Sequence, residues 1–252
     1  MTPELKVYWR PGCSSCVKVK EYLTQQGVAF QSIDVSARPE AMKDLLAFGV
    51  KTVPVVARGG EFVFAQALED VSRFIGRKFS SRRLPPEELV HKWLAVLRAA
   101  QRHVQQIPAS RLGERAVHSR DRSIRDLAYH VYQVPDAFLQ AVENGLQDLT
   151  TTYNAPPPAN VKSVQDIAAY GSRITEKIER WWSQLPDKSC RQTVKTYYGE
   201  RSLHELLERS TWHSAQHARQ IISVLERLQV KPDGPLTAKD YAGLPMPQGL
   251  WE

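Results

Sequence analysis

The sequence predicts two units. Residues 1–79 read as a small α/β unit of order βαβαββα, and residues 87–229 as an all-α four-helix bundle. Three observations carry this. Strand-like and helix-like patterns alternate through the first third of the chain, which specifies an α/β fold. Four later segments repeat apolar residues at three- and four-residue spacing, the pattern of amphipathic helices. Between the two regions lies Ser-Ser-Arg-Arg-Leu-Pro-Pro, residues 80–86, a polar linker.

In order, Leu5-Lys6-Val7-Tyr8-Trp9 alternates like a strand, and Ser15 to Gln26 reads as a helix stopped at Gly27. Val28 to Val35 is a second strand. Pro39 to Phe48 is a helix with proline in its first turn and Gly49 after it. Pro54-Val55-Val56-Ala57 and Glu61-Phe62-Val63-Phe64 flank Gly59-Gly60 as a hairpin, and Ala67 to Ile75 closes the unit. Beyond the linker everything reads as helical: Pro86 to Ile107, Ser123 to Glu143, Ser163 to Leu185 and Leu203 to Leu228. Pro135 is expected to kink the second of these, because it lacks an amide hydrogen. Ser163 is the expected N-cap of the third. Ala155-Pro156-Pro157-Pro158 makes the second-to-third connection stiff. The tail, residues 230–252, is rich in Pro and Gly and is expected to pack on the bundle, with Leu250-Trp251 as an apolar plug. No internal repeat is evident.

The chain has 252 residues, of which 42% are hydrophobic and 24% charged, the ordinary composition of a globular protein, which argues against disorder. Its net charge of +7 is divided almost evenly between residues 1–79 and the rest. Glu114, Asp121 and Asp126 interrupt the densest basic stretch, Arg111 to Arg125, which argues against a nucleic-acid face. The absence of a membrane-spanning apolar run or a signal-peptide pattern sets the expectation of a cytoplasmic protein with no membrane partner. A homodimer stays open. Three cysteines are too few for a disulfide framework.

Two of those cysteines, Cys13 and Cys16, follow a strand and open a helix. At a helix N-terminus, unpaired amides and the helix dipole favour a thiolate, the nucleophile of disulfide exchange. Cys16, one turn on, can resolve a mixed disulfide formed by Cys13. The other reading, half a zinc site, would need two more ligands, and Cys190, the remaining cysteine, falls in the helical unit. Tyr8-Trp9-Arg10-Pro11-Gly12-Cys13-Ser14-Ser15-Cys16, followed by Thr52-Val53-Pro54, resembles the glutaredoxins of the thioredoxin fold over residues 4–77. The resemblance implies a thiol-disulfide oxidoreductase with a cis Pro54 facing the dithiol. Val53 and Pro54, together with Arg10, would then contact the bound thiol. Phe64-Ala65-Gln66-Ala67 stands where glutathione-dependent members carry a Gly-Gly pair and acidic residues, and Arg10 replaces their lysine. Another low-molecular-weight thiol, or a protein disulfide, is therefore open as substrate.

In Leu203 to Leu228 the apolar seam runs Leu203, Leu206, Ser210, His213, His217, Val224, Leu228. Two histidines four apart point the same way from successive turns. An imidazole pair in an apolar seam is costly unless something satisfies it, and a divalent metal would do so. His130, between Leu127 and Val134, is the third candidate ligand; His103 is a weaker one. Gln216 and Gln220 are loose candidates for bonding the ligand rings. Zinc comes first, with nickel and manganese open. Tyr198-Gly199, Ser202-Leu203-His204-Glu205-Leu206-Leu207 and Trp212-His213-Ser214-Ala215-Gln216-His217, with His130, resemble the DinB/YfiT-like superfamily over about residues 85–228. Its members include metal-dependent transferases and isomerases that use small thiols such as mycothiol or bacillithiol. The expected protein is a disulfide oxidoreductase fused to a metal-dependent thiol S-transferase or conjugating enzyme. The rivals are a redox-responsive metal sensor or carrier, and a glutaredoxin with a purely structural bundle.

Overall fold

The computed structural model describes residues 4–80 and 82–251; Met1–Pro3, Ser81 in the expected linker, and Glu252 lie outside them. The chain divides into two compact units, one reaching Arg82 and including the stretch from Pro247, the other spanning Arg83–Met246.

The first unit contains β1 (Leu5–Trp9), α1 (Ser14–Gln25), β2 (Gln31–Asp34), α2 (Pro39–Ala47), β3 (Val55–Arg58), β4 (Glu61–Phe64) and α3 (Leu68–Phe74). The sheet order is β2-β1-β3-β4, with β1 and β2 parallel and the other pairs antiparallel. Alternate residues face opposite layers. Val7 and Val56 pack with Val19 and Leu23 of α1 and Val71 of α3. Tyr8, Val55 and Ala57 pack with Ala41 and Leu45 of α2. The second strand is shorter than the apolar run suggested. Gly27 takes φ +65°, and the Val28 amide then donates to the Leu23 carbonyl, so Val28 closes α1 before the strand begins.

The second unit is helix-rich. Its long helices are α4 (Pro86–Gln105), α5 (Ile124–Asn144), α7 (Val164–Gln184) and α8 (Leu203–Arg227), with two short ones, α6 (Thr150–Asn154) and α9 (Ala238–Tyr241). Helices α4 and α5 each pack against both α7 and α8. At the centre Phe138 meets Trp93 and Trp181 edge to face, at ring separations of 5.1 and 4.8 Å. The indole of Trp93 donates to Ser214 Oγ at 2.9 Å, which satisfies its buried N–H. Helix α5 runs unbroken through Pro135.

Several expectations are corrected. The second unit is not all-helical: β5 (Arg115–Val117) pairs with β6 (Arg120–Ser123), and β7 (Thr193–Thr196) with β8 (Gly199–Ser202). The two hairpins lead into α5 and α8 in the same way. Asp121-Arg122-Ser123-Ile124-Arg125-Asp126-Leu127 matches Glu200-Arg201-Ser202-Leu203-His204-Glu205-Leu206 without a gap, an internal repeat hidden by its shortness. Ser123 and Ser202 each form a capping box with the acid three residues on. The first helical amides donate back to the chain before each hairpin, Ile124 to Glu114 and Arg125 to Leu112, Leu203 to Gln192 and His204 to Cys190. Helix-start amides that would otherwise lack partners are thereby satisfied. Cys190 thus occupies the place of Leu112, fully buried, its thiol pushed up to about 11 by desolvation.

The linker is shorter than residues 80–86. Arg83 pairs with Glu205 and Glu208, the Leu84 carbonyl bonds His204 Nε2 at 2.8 Å, and Pro86 already begins α4. The tail also divides. Leu244 is buried in the second unit, but from Pro247 the chain belongs to the first, where Glu21 accepts from the Gln248 and Gly249 amides at 2.8 and 2.6 Å. Two amides on one carboxylate fix Gln248 and Gly249 on Glu21 of α1, and Leu250 and Trp251 belong to the first unit, where the sequence had assigned the whole tail to the bundle.

Gly171 shows how tightly α7 approaches α5. A Cβ there would lie 2.5–2.8 Å from three ring atoms of the fully buried Tyr132. Alanine normally gains about 1 kcal/mol over glycine inside a helix. Overpacking a rigid aromatic costs about 1–3 kcal/mol and should win here. Gly171→Ala is expected to lower the melting temperature of the full chain; an unchanged or higher one would refute the close-packing argument.

Candidate functional site

Two clusters of reactive side chains stand out, one in each unit. In the first, Gly12 turns the chain in the left-handed region, φ +68°, and Cys13 becomes the N-cap of α1. Its sulfur accepts from the Cys16 amide at 3.3 Å. Cys13 and Cys16 are joined as a disulfide with Cα atoms 5.2 Å apart. They differ in access: Cys13 is half-buried, whereas Cys16 is fully buried. Cys13 packs against the same apolar cluster as Cys16 and Val53. The Val53–Pro54 peptide bond is cis. Gln66, which sequence reasoning treated only as a departure from a glycine pair, donates its amide to the Val53 carbonyl at 3.3 Å and orients that residue. Arg10 lies in the loop between β1 and α1, and desolvation pulls its guanidinium below its usual range. This arrangement, an accessible sulfur at a helix start and a buried second sulfur behind it, is suited to attack and resolution in disulfide exchange.

The sequence profile of the glutaredoxin family matches residues 5–63. The thioredoxin-like protein YosR, derived from the SPbeta prophage of Bacillus subtilis strain 168, is 33% identical over 69 residues, which are 27% of this chain and 76% of that protein. The N-terminal unit belongs to the glutaredoxin family. An N-acetyl-S-hydroxy-L-cysteine reductase of Bacillus subtilis strain 168 is 45% identical over 60 residues, 22% of this chain; the chain spans 63% of that relative, less than two thirds of its length. A crystal structure of a thioredoxin-like protein is 30% identical and covers 30% of this chain and 97% of its own, with a TM-score of 0.29. The family match over residues 5–63 makes the N-terminal unit glutaredoxin-like, a thiol oxidoreductase type, with Cys13 and Cys16 as its CxxC pair. Among the described residues no helix is long and apolar enough to cross a membrane.

In the second unit α5 supplies His130 and α8 supplies His213 and His217, all buried, with one ring nitrogen of each within 4.8 Å of the others. His213 Nε2 and His217 Nε2 are 3.1 Å apart. Two glutamines three residues after a histidine orient the rings. His217 Nδ1 bonds Gln220 Oε1 at 2.7 Å, and His130 Nδ1 bonds Gln133 Oε1 at 3.1 Å. The Gln133 amide is itself fixed, because its nitrogen donates to the Thr152 and Ala155 carbonyls at 2.9 and 2.8 Å. Its oxygen therefore faces His130, Nδ1 carries the proton, and Nε2 keeps its lone pair. Gln220 was among the sequence candidates; Gln133 was missed, although His-x-x-Gln occurs at both places. Gln216 accepts from Arg219 at 2.9 Å. His103 lies elsewhere, bonded to the Asp233 carbonyl at 3.1 Å.

Burial, and then the charge of Arg122, hold His130 well below its ordinary pKa and bring His217 down to about 3. Both rings are neutral at pH 7. In the unfolded chain they titrate near 6.5, so protons bind the unfolded state first as pH falls. The stability they contribute is complete above about pH 7 and is lost downward from about 6.5. The metal-free full chain is expected to melt progressively lower between pH 7.5 and 5, at up to about 1.4 kcal/mol per histidine per pH unit. A melting temperature flat across that range would contradict neutral burial.

Proposed function

We propose that the chain is a two-unit thiol enzyme: a disulfide reductase at Cys13 and Cys16, and a metal-dependent thiol S-transferase or conjugating site at His130, His213 and His217, within a DinB/YfiT-like four-helix bundle. One observation carries the second half. The Gln133 amide, fixed by two backbone carbonyls, turns the His130 lone pair into a pocket that two further imidazoles share. His213 Nε2 and His217 Nε2 share one proton when no ion is bound, and a divalent cation would take that proton's place between the two rings. Ligands about 2.1 Å from a tetrahedral zinc lie about 3.4 Å from one another, which the 3.1 Å separation of the two Nε2 atoms approaches. Three protein ligands leave room for an exchangeable one, and the bound ion would supply Lewis acidity that favours a thiolate over a thiol. This chain's residues do the rest: Gln133 and Gln220 hold the rings in place from behind.

For the first unit, the relative named for reducing N-acetyl-S-hydroxy-L-cysteine supports an oxidised small thiol as substrate. The Cys13 thiolate attacks the sulfur of R–S–OH, releasing hydroxide and forming Cys13–S–S–R. Cys16 then attacks Cys13 sulfur, releasing R–SH and leaving the Cys13–Cys16 disulfide, with one water formed overall. A small-molecule disulfide R–S–S–R reacts in the same way, with R–SH leaving in place of water. The helical unit would use the R–SH so formed. The decisive experiment is metal analysis of the full chain purified without chelator and dialysed. One divalent ion per chain supports the reading; a stoichiometry near zero after incubation with zinc, nickel and manganese refutes its second half.

A further inference from the structure

A tyrosine stands against the histidine cluster, and the sequence reading gave it no role. Helix α6 carries Tyr153, whose ring meets His130 and His213 edge to face at 6.1 and 5.7 Å. The segment is tied down from several sides. Gln133 donates to the carbonyls of Thr152 and Ala155, on either side of Tyr153, and Asp148 caps the turn by accepting from the Thr150 amide at 3.0 Å. Arg209 of α8 is buried, donates to the Tyr153 hydroxyl oxygen at 3.1 Å, and lies over the faces of Tyr153 and Tyr198 at 5.6 Å from each centroid. In the internal repeat Arg209 takes the place of His130, seven residues after the capping serine, so paired positions deliver an imidazole and a guanidinium to one region.

A phenol oxygen that accepts from a guanidinium keeps its own hydrogen to give, and gives it more strongly. Tyr153 is also only half-buried, in contrast to the histidines, so it stands where the cluster meets solvent. We infer that Tyr153, positioned by Arg209, donates its hydroxyl hydrogen to the ligand that completes the three-histidine site, and that this ligand is the thiolate of a small molecule. The inference rests on the metal reading above. A cation held by neutral imidazoles beside a buried guanidinium favours an anionic ligand, and a sulfur anion accepts a hydrogen bond from the phenol while contacting the ion.

The test uses the full chain carrying Cys13→Ser and Cys16→Ser, so that an added thiol meets no disulfide. It is loaded with Co2+ and titrated with 2-mercaptoethanol, following near-ultraviolet sulfur-to-cobalt absorption, with Co2+ content measured separately. Adding Tyr153→Phe, which keeps the ring, should leave one Co2+ per chain and weaken thiol binding by about tenfold. Arg209→Lys should weaken it similarly, and the two changes together no more than either alone, since Arg209 acts through Tyr153. Equal thiol affinity with and without Tyr153→Phe overturns the inference. So does loss of Co2+ on Tyr153→Phe, which would make Tyr153 a support for the histidines. Additive losses remove the role of Arg209. Bound Co2+ without any thiol signal overturns the inference alone, whereas no Co2+ in the parent chain overturns the metal reading and the inference with it.

Discussion

Cys13→Ser is expected to reduce disulfide reductase activity to the uncatalysed background while leaving the metal content of the chain unchanged. The reason is access. Cys13 is half-buried at the start of α1, its sulfur within reach of an amide that stabilises the thiolate, whereas Cys16 is fully buried and cannot meet a substrate directly. Serine keeps the cap but is far too weak an acid to supply the anion. Cys16→Ser should behave differently. It retains the attacking sulfur, so a mixed disulfide forms and persists, visible as a mass increase equal to the substrate thiol. Reductase activity retained in Cys13→Ser, or a trapped adduct on Cys16 instead of Cys13, would reverse the assignment of the two sulfurs.

His217→Ala should produce the opposite separation. His217 is 1% exposed, shares the pocket with His213 Nε2, and is fixed from behind by Gln220. Its removal leaves two ligands, too few for a stable site, so the dialysed chain is expected to carry no stoichiometric ion. Disulfide reduction by Cys13 and Cys16 should continue at the parent rate. Gln133→Ala should be milder, a loss of about 10–100-fold in metal affinity, because it removes the acceptor that sets the His130 tautomer and leaves the ligand in place. Tight, stoichiometric metal in the His217→Ala chain would exclude the three-histidine site.

Much of this architecture was legible along the chain, because the determining interactions are local. Gly27 and Gly49 end helices α1 and α2, the Gly59-Gly60 pair turns a hairpin, and the apolar spacing from Leu203 onward marks α8 almost to the residue. The hairpins before α5 and α8 escaped notice because Arg120-Asp121-Arg122-Ser123 and Gly199-Glu200-Arg201-Ser202 are polar and four residues long. Such strands lack an apolar alternation and are held by backbone bonds to helix starts. The fate of the tail was hidden for a related reason. A carboxylate more than two hundred positions away, Glu21, decides where Gln248 and Gly249 lie, and no periodicity records that.

The sequence alone singled out the candidate residues: a CxxC at a helix start, and an inward-facing histidine pair with a third histidine on another helix. Those follow from helical geometry, which fixes side-chain direction within a few turns. Only the tertiary structure decided how the imidazoles are oriented, that Gln133 ties His130 to the carbonyls around Tyr153, and that Arg209 reaches the Tyr153 hydroxyl. These are hydrogen bonds between elements distant in sequence. Their partners are chosen by how the helices pack, because a buried polar group takes whichever complementary group the fold brings within reach.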